Sequence, residues 1–300
     1  MKRYLKIATL FIFVWSLIIG VVSPAHAEDS INEKFGLPIV VYGDTLSDAQ
    51  KQEVRDLLGV TDPNNVKEFS VTGQDIANYI NGDPNSNMYS SAKIVRENEG
   101  TGLTIDIVTR DNITEVTDEM YANALLTAGV EDATVEVASP VKVSGHSALT
   151  GIYKAYDEDG ELLDKDRMEL ANDELDVATD LAEKEGMSQE KVSELLTEIK
   201  KEIADQDPAT KEDVERIVKE QLDKLEISLS DADRELLINL FEKMRDLDID
   251  FGKVREQLDD IASQVKDKVD DLGIELDDGF WEKVSNFFKK LIDKIAALFD

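Results

Sequence analysis

Apolar residues recur at intervals of three and four positions through the second half of the chain, and this spacing constrains its fold more than any other feature. One such stripe begins at Val192, and others begin at Val214, Leu236 and Val254. This spacing places the apolar side chains on one face of an α-helix. Residues 159–300 are therefore predicted to form an all-α helical domain, either a bundle or an extended stack.

Residues that start or end helices separate these stripes. Thr210 with Asp213, and Ser230 with Asp233, match the spacing of a helix-capping side chain and an acidic residue three positions later. Pro208 cannot sit inside a helix, because it lacks a backbone N–H group. Several helices joined by short turns are therefore expected.

The first half of the chain instead mixes short β-rich runs with short helices. Residues 28–158 are predicted to form an α+β (or α/β) domain that ends at the charged turn 157–160. The order strand, helix, strand, helix occurs twice, starting near Gly36 and again near Gly102, with one more strand at 89–95. We predict an internal duplication and a pseudo-two-fold arrangement from this likeness.

Cap residues support this order of elements. Ser47 and Thr117 have side chains suited to helix starts, and Gly59 and Gly129 suit the left-handed residue that ends a helix. The run 141–143 is predicted to be the second strand of the second copy.

The first 27 residues have the organisation of a secretory signal peptide. Basic residues precede an apolar run at 7–22, and Ala25 and Ala27 provide the small residues that signal peptidase reads. The run is shorter than the roughly 20 residues of a spanning helix. We therefore expect cleavage after Ala27 and a secreted, extracellular protein that is either free or associated with the cell envelope.

Charge excludes one class of partner. Removing residues 1–27 takes away three of the 33 basic residues and none of the 65 acidic ones, which leaves a net charge of −35. A nucleic-acid surface needs clustered Lys and Arg, so no nucleic-acid partner is expected. The chain has no cysteine, so it cannot form disulfides and must be stabilised by packing.

Residues 280–299 combine apolar and basic side chains on opposite sides of a predicted amphipathic helix. We predict that this helix contacts an unknown protein partner or a membrane surface. In the alternative, it packs on the chain's own bundle and its lysines face nearby carboxylates. The predicted contact residues are Trp281, Phe287, Phe288, Lys289, Lys290, Leu291 and Lys294.

Candidate metal ligands are weak. Asp246, Asp248 and Asp250 alternate, but Gly252 comes one residue late for an EF-hand loop and Gln257 stands where the loop ends in Glu. Weak calcium binding is the hypothesis for these aspartates, against the alternative of ordinary turn residues. No other cofactor is expected.

Two local patterns resemble catalytic motifs. Ser90 and Lys93 have the Ser-x-x-Lys spacing, but no Lys-Thr-Gly follows and the run is more typical of a strand entry. His146 precedes Ser147 in a partial nucleophile elbow that lacks the second glycine. We prefer the interpretation that Ser144 or Ser147 caps the following helix. No catalytic residue is predicted.

The stretch 112–156 resembles a YpuA-like family of secreted Gram-positive proteins, a domain of unknown function. The resemblance implies secretion and a Gram-positive envelope setting, with no assigned reaction and no catalytic residues to transfer. It is carried by the segments 112–117, 121–125, 127–129, 137–140, 143–145 and 147–156, with Tyr42, Gly43, Gln50 and the run 89–93 upstream.

These observations favour a secreted, non-enzymatic interaction protein of the envelope or the extracellular space. The alternative is a cell-envelope hydrolase that uses carboxylates of the N-terminal domain. A cleft between the two halves, holding two buried acids with polar neighbours, would favour that alternative.

Overall fold

The computed structural model describes residues 34–184, 187–247 and 249–271, in which a five-stranded sheet packs with nine α-helices. The mixture confirms the α+β class. The strands are β1 (Ile39–Gly43), β2 (Lys67–Val71), β3 (Ser91–Arg96), β4 (Leu103–Ile107) and β5 (Ala133–Ala138). The helices are α1 (Asp48–Leu57), α2 (Gly73–Ile80), α3 (Asp118–Ala128), α4 (Ser147–Glu158), α5 (Lys165–Lys184), α6 (Gln189–Gln206), α7 (Lys211–Lys224), α8 (Asp231–Asp246) and α9 (Arg255–Asp271).

The strands lie in the order β2-β1-β3-β5-β4. β1 and β2 are parallel, as are β4 and β5, and β3 runs antiparallel to both of its neighbours. Four strands therefore point in one direction and the central one in the other. The order strand, helix, strand, helix occurs on both sides of β3 in the chain, as predicted.

The two halves do not occupy equivalent places in the sheet. The first strand of the first half, β1, lies next to β3, whereas the first strand of the second half, β4, lies at an edge. A two-fold axis would place these strands alike, so the predicted pseudo-two-fold arrangement is not seen. The duplication itself stays a prediction.

The predicted strand at 141–143 is also misplaced. In the second half the strand is β5, and Val143 forms only an isolated bridge to Ile113. Pro140 has no N–H group to donate, so the ladder of β5 does not continue through it into 141–143. The alternation of Ala133, Val135 and Val137 with polar residues provides the better strand face.

Helices α3 to α9 and one face of the sheet share a single hydrophobic core. α5 and α6 pack against α3, and α9 packs against α6. The described residues accordingly belong to one compact unit. The predicted boundary near residue 158 coincides with the end of α4, and the two predicted modules meet through this common core.

Most predicted caps are confirmed. The side chains of Ser47, Thr117, Thr210 and Ser230 each accept a hydrogen bond from the backbone N–H three residues on, and Gly129 has the left-handed φ of +92°. These side chains satisfy N–H groups that the first turn of a helix leaves free.

The predicted serine cap of α4 is wrong. His146 occupies the cap position and makes no side-chain cap bond, while Ser147 is already the first helical residue. Backbone bonds take over its role. The N–H groups of Ala148 and Leu149 donate to the carbonyls of Gly145 and His146.

Candidate functional site

One face of the sheet packs in the common core, and the opposite face is covered only in part. Among the described residues, no helix lies over the half of that opposite face formed by β3, β5 and β4. The side chains of Val40 and Tyr42 pack beneath Val54 and Leu58 at α1, which covers the β1 side. The helix of the second half, α3, lies in the core on the opposite face. The uncovered surface on β3, β5 and β4 is lined by Val95, Thr104, Asp106, Thr134 and Glu136. Antiparallel and mixed sheets often leave one face to solvent, and its residues are then polar.

A row of charged side chains runs from the buried Lys93, which bonds to Leu58 at the end of α1, onto this open face. Lys93 and Glu136 are cross-strand partners and form an ion pair with Nζ and Oε2 2.8 Å apart. Glu136 is also the partner of Asp106 on β4, so two carboxylates occupy neighbouring strands. Arg110 contacts Asp106 at 3.1 Å from the far side. In this row the two acidic side chains, Glu136 and Asp106, lie between two basic ones, Lys93 and Arg110.

The two central carboxylates lie close together because adjacent strands are about 4.8 Å apart. Like charges directly opposite each other on one sheet face are unfavourable. Lys93 and Arg110 offset this repulsion, one from each end of the row. The arrangement can hold polar or cationic groups that bridge the two acids.

A shallow recess of about 580 Å³, lined by residues 106–112, adjoins the row where β4 ends. Arg110 at its rim contacts Asp118 at 2.5 Å as well as Asp106. The other carboxylate oxygen of Asp118 accepts a hydrogen bond from the N–H of Ile107 (2.9 Å). Asp118 thus fixes both the last residue of β4 and the guanidinium beside the recess.

Helix α9 lies along the outer edge of β4. Near the start of the strand, the side-chain oxygen of Gln257 accepts a hydrogen bond from the N–H of Leu103 (3.1 Å). Near the end of the strand, Lys268 contacts Asp118, whose carboxylate accepts the hydrogen bond from the N–H of Ile107. Side-chain oxygens therefore take the place of a neighbouring strand at both ends of this edge, which shields it from pairing with other chains.

A second charged cluster lies in the core where α3, α5 and α6 meet. The Nζ of Lys200 is 2.6 Å from Glu174 Oε1 and donates to the carbonyl oxygen of Asn123 (2.7 Å). Thr127 donates to the other oxygen of Glu174 (2.6 Å). Burial lowers the pKa of Lys200, and the nearby carboxylate of Glu174 opposes that shift. The packing leaves these groups no access to solvent, so the cluster is structural.

A cleft between the two halves with two buried acids, which would favour the hydrolase alternative, is not seen in the described part of the chain. Its buried acidic residues belong to α3, α5 and α6. Glu119, for example, is 2% exposed and contacts Lys268 at 2.5 Å where α3 meets α9.

The edge where β1 and β2 end is closed by the chain itself. In α/β proteins this carboxyl edge is the usual place for a ligand. Here a Cβ on Gly43 would stand 2.2 Å from the carbonyl oxygen of Met88, and one on Gly73 would stand 2.3 Å from that of Pro84. Thr45 and Met88 are joined by two hydrogen bonds. The segment before β3 thus fills the position that a ligand would take.

The Ser-x-x-Lys spacing belongs to a strand, as its sequence context indicated. Ser90 directly precedes β3, and Lys93 lies within it. Residues three apart in a strand point to opposite faces, so the lysine cannot reach the serine hydroxyl. Lys93 instead donates to the carbonyl oxygen of Leu58 (3.1 Å) and pairs with Glu136.

Two of the three candidate calcium ligands are described, and each has another partner. Asp246 contacts Arg245, and Asp250 accepts a hydrogen bond from the N–H of Gly252 (3.0 Å). Asp248 lies outside the described residues. No group of three or more potential metal ligands is found in the part of the chain that the structure describes.

The predicted signal peptide and the predicted contact helix lie outside the described residues. The second of these includes Trp281, Phe287, Phe288, Lys289, Lys290, Leu291 and Lys294. None of the helices within 34–184, 187–247 and 249–271 is long and apolar enough to cross a membrane.

The residues of the open face were not among the predicted site residues, although the sequence carries a signal for them. In β5 and β4 every second residue is polar, and Thr134, Glu136, Thr104 and Asp106 are those residues. Such alternation predicts a strand with one buried and one solvent-exposed face. It does not reveal that no helix of the described chain covers that face.

Comparisons with known proteins agree with the resemblance seen in the sequence. The family model described as "Protein of unknown function (DUF1002)" matches residues 42–261. The "Uncharacterized protein YpuA" of Bacillus subtilis (strain 168) is 38% identical over 270 residues, which cover 87% of this chain and 89% of that protein. No solved structure matches the chain. The chain therefore belongs to the DUF1002 family of proteins of unknown function, together with proteins similar to YpuA.

Proposed function

We propose that the protein is a secreted, non-enzymatic interaction protein of the cell envelope or the extracellular space. In this proposal residues 1–27 direct export, the described body is an acidic scaffold, and the helix at 280–299 contacts a membrane surface or a protein partner. The protein acts without a resident cofactor, and calcium binds only weakly.

The observation that supports this proposal most is the composition of the described surface. Only two large apolar side chains are exposed on it, Leu162 at 81% in the segment between α4 and α5, and Leu236 at 44% on α8. The segment 280–299 carries nine large apolar residues in its predicted helical stripe. Each gains about 1.5–3 kcal/mol when it is fully buried. The described body presents little surface to bury them, so a membrane or a partner is the better match.

Deletion of residues 280–300 tests the proposal. Cells expressing the parent chain and the deletion variant are separated into envelope and soluble extracellular fractions, and thermal unfolding of both purified proteins is compared. The expected result is release from the envelope fraction with an unchanged unfolding midpoint. Equal distribution of the two proteins would refute the proposed role of the helix.

A matched pair of variants separates a membrane from a protein partner. Phe287→Ser with Phe288→Ser removes apolar area, and Lys289→Gln with Lys290→Gln removes charge. If the helix contacts a membrane, vesicles that contain anionic lipid should bind the parent protein and should not bind either variant. Binding that occurs only to envelopes with intact proteins indicates a protein partner.

A duplication within 28–158 and a separate all-α domain at 159–300 are parts of the same proposal. The repeated order of elements on both sides of β3 supports the duplication. Because the helices and one face of the sheet share a core, expression of residues 28–158 alone tests the separate domain. A soluble, cooperatively folded fragment is expected only if that boundary is real.

One observation favours the alternative of a hydrolase. Asp106 and Glu136 lie on neighbouring strands of the open face, and retaining glycosidases use two carboxyl groups about 5–5.5 Å apart. Each carboxylate here is ion-paired, so no geometry separates an acid from a base. Turnover of peptidoglycan fragments that Asp106→Asn and Glu136→Gln abolish would establish this alternative over the proposed function.

A further inference from the structure

The two edges of the sheet differ in how their outward backbone groups are satisfied. At β4, side chains of Gln257 and Asp118 bind the outward N–H groups, as described above. At β2, the backbone N–H and C=O groups of Lys67, Phe69 and Val71 are directed toward β1. This register is shown at its two ends, where the N–H of Lys67 donates to the carbonyl oxygen of Pro38 and the carbonyl oxygen of Val71 accepts from the N–H of Asp44.

The backbone groups of the two residues between them therefore point away from the sheet, at its free edge. The N–H and C=O groups of Glu68 and Ser70 are directed away from β1, and no described residue pairs with them. β2 has no proline and no bulge, and it extends over five residues. Such an edge is a template for pairing with another strand.

We propose that β2 pairs with β2 of a second copy of this chain, in an antiparallel arrangement centred on Phe69. In this register Glu68 of each copy lies opposite Ser70 of the other. All four outward N–H and C=O groups of each strand are then used, because Glu68 and Ser70 of opposite copies form hydrogen-bonded pairs that exchange both bonds.

Side-chain chemistry selects this register and this partner. Pairing Glu68 with its own copy would place like charges directly opposite, which is unfavourable. Centring on Phe69 instead opposes glutamate to serine and brings the two half-buried phenyl rings together on one face. Aromatic cross-strand pairs are among the favourable ones. The strand is thus complementary to itself.

Net charge sets the conditions under which the dimer forms. Two chains of net charge −32 or more negative repel each other at long range, and salt screens that repulsion. Dimerisation through backbone bonds should therefore strengthen as salt is raised. An association that depends on opposite charges would weaken instead.

The proposal is tested with Ser70→Pro and with Ser70→Ala as its matched control. Proline removes the outward N–H, which has no partner within the described chain, and edge strands accept proline. Sedimentation over a range of protein concentrations and salt should show a dimer for the parent and for Ser70→Ala. Ser70→Pro should stay monomeric with an unchanged circular dichroism spectrum.

A cysteine variant tests the register independently, because the chain contains no cysteine. Under mild oxidation Phe69→Cys should form a covalent dimer much faster than Thr104→Cys, which places the thiol on β4. A parent that is monomeric at every concentration, a dimer that survives Ser70→Pro, or equal cross-linking of the two cysteine variants would each overturn the proposal. Pairing of β2 with an unrelated peptide instead of a second copy would overturn it as well.

Discussion

The buried ion pair between Lys200 and Glu174 makes the sharpest prediction about stability. Both side chains are almost fully buried, at 0% and 1% exposure. Replacing one partner leaves the other charged group in the core without its counter-charge, and such changes cost about 3–5 kcal/mol. Because whole domains are stable by only about 5–15 kcal/mol, Lys200→Met or Glu174→Gln should remove a large part of the free energy of unfolding.

The double variant Lys200→Met with Glu174→Leu provides the control. It removes both charges and keeps apolar volume, and replacements of this kind are often neutral or stabilising. We therefore expect the double variant to be more stable than either single variant. Urea denaturation at pH 7 gives the free energy of unfolding of the parent, the two single variants and the double variant. An unchanged dependence of that free energy on urea concentration shows that unfolding exposes a comparable surface in each protein.

The sign of the pH dependence gives a second readout. Burial lowers the pKa of Lys200 in the folded state, so the unfolded chain binds more protons in the alkaline range and stability from this group rises with pH up to its ordinary value of 10.5. Glu174→Gln removes the opposing carboxylate and should lower the pKa of Lys200 further, so the rise should begin at a lower pH. Single variants that cost less than about 1 kcal/mol, the size of an ordinary exposed pair, would refute the reasoning.

Three further predictions concern the sheet and the helices. Gly43→Ala should destabilise the fold strongly because its Cβ would overlap the carbonyl of Met88, whereas Gly151→Ala, with ordinary contacts of 3.7 Å, should be neutral or stabilising by up to about 1 kcal/mol in thermal unfolding. Thr210→Ala removes the cap of α7 and should cost about 1 kcal/mol in urea denaturation, and a cost near zero would contradict the cap. Burial raises the pKa of Tyr121 above its ordinary value of 10, so the unfolded state loses its proton first and stability should fall above about pH 10. Tyr121→Phe should weaken that fall, as followed by circular dichroism.

Local chemistry made much of the fold predictable. Pro208 separates α6 from α7 as expected, and Ser47 and Thr117 cap the two helices that follow β1 and β4. These features depend on a few neighbouring residues, which the sequence shows directly. The order of strands and helices in the first half followed from the same local signals.

Long-range packing accounts for what the sequence did not show. The likeness between 69–73 and 141–145 suggested equivalent strands, but pairing selected Ala133–Ala138 because its apolar side chains fit the core beside β3. The side of the sheet on which α3 packs has no local sequence signal. The open face and its charge row follow from that choice, which explains why Asp106, Glu136 and Arg110 were missed.

The described chain begins and ends at opposite ends of the sheet. Phe35 lies against Arg96, where β3 ends and β1 begins, with its ring 4.7 Å from the guanidinium. Lys268 lies at the other end, beside the last residue of β4. A pulling force applied between these two points acts lengthwise on the strands. The hydrogen bonds that join β1 to β2 and β3 then carry the tension together, which resists mechanical extension better than opening them one at a time.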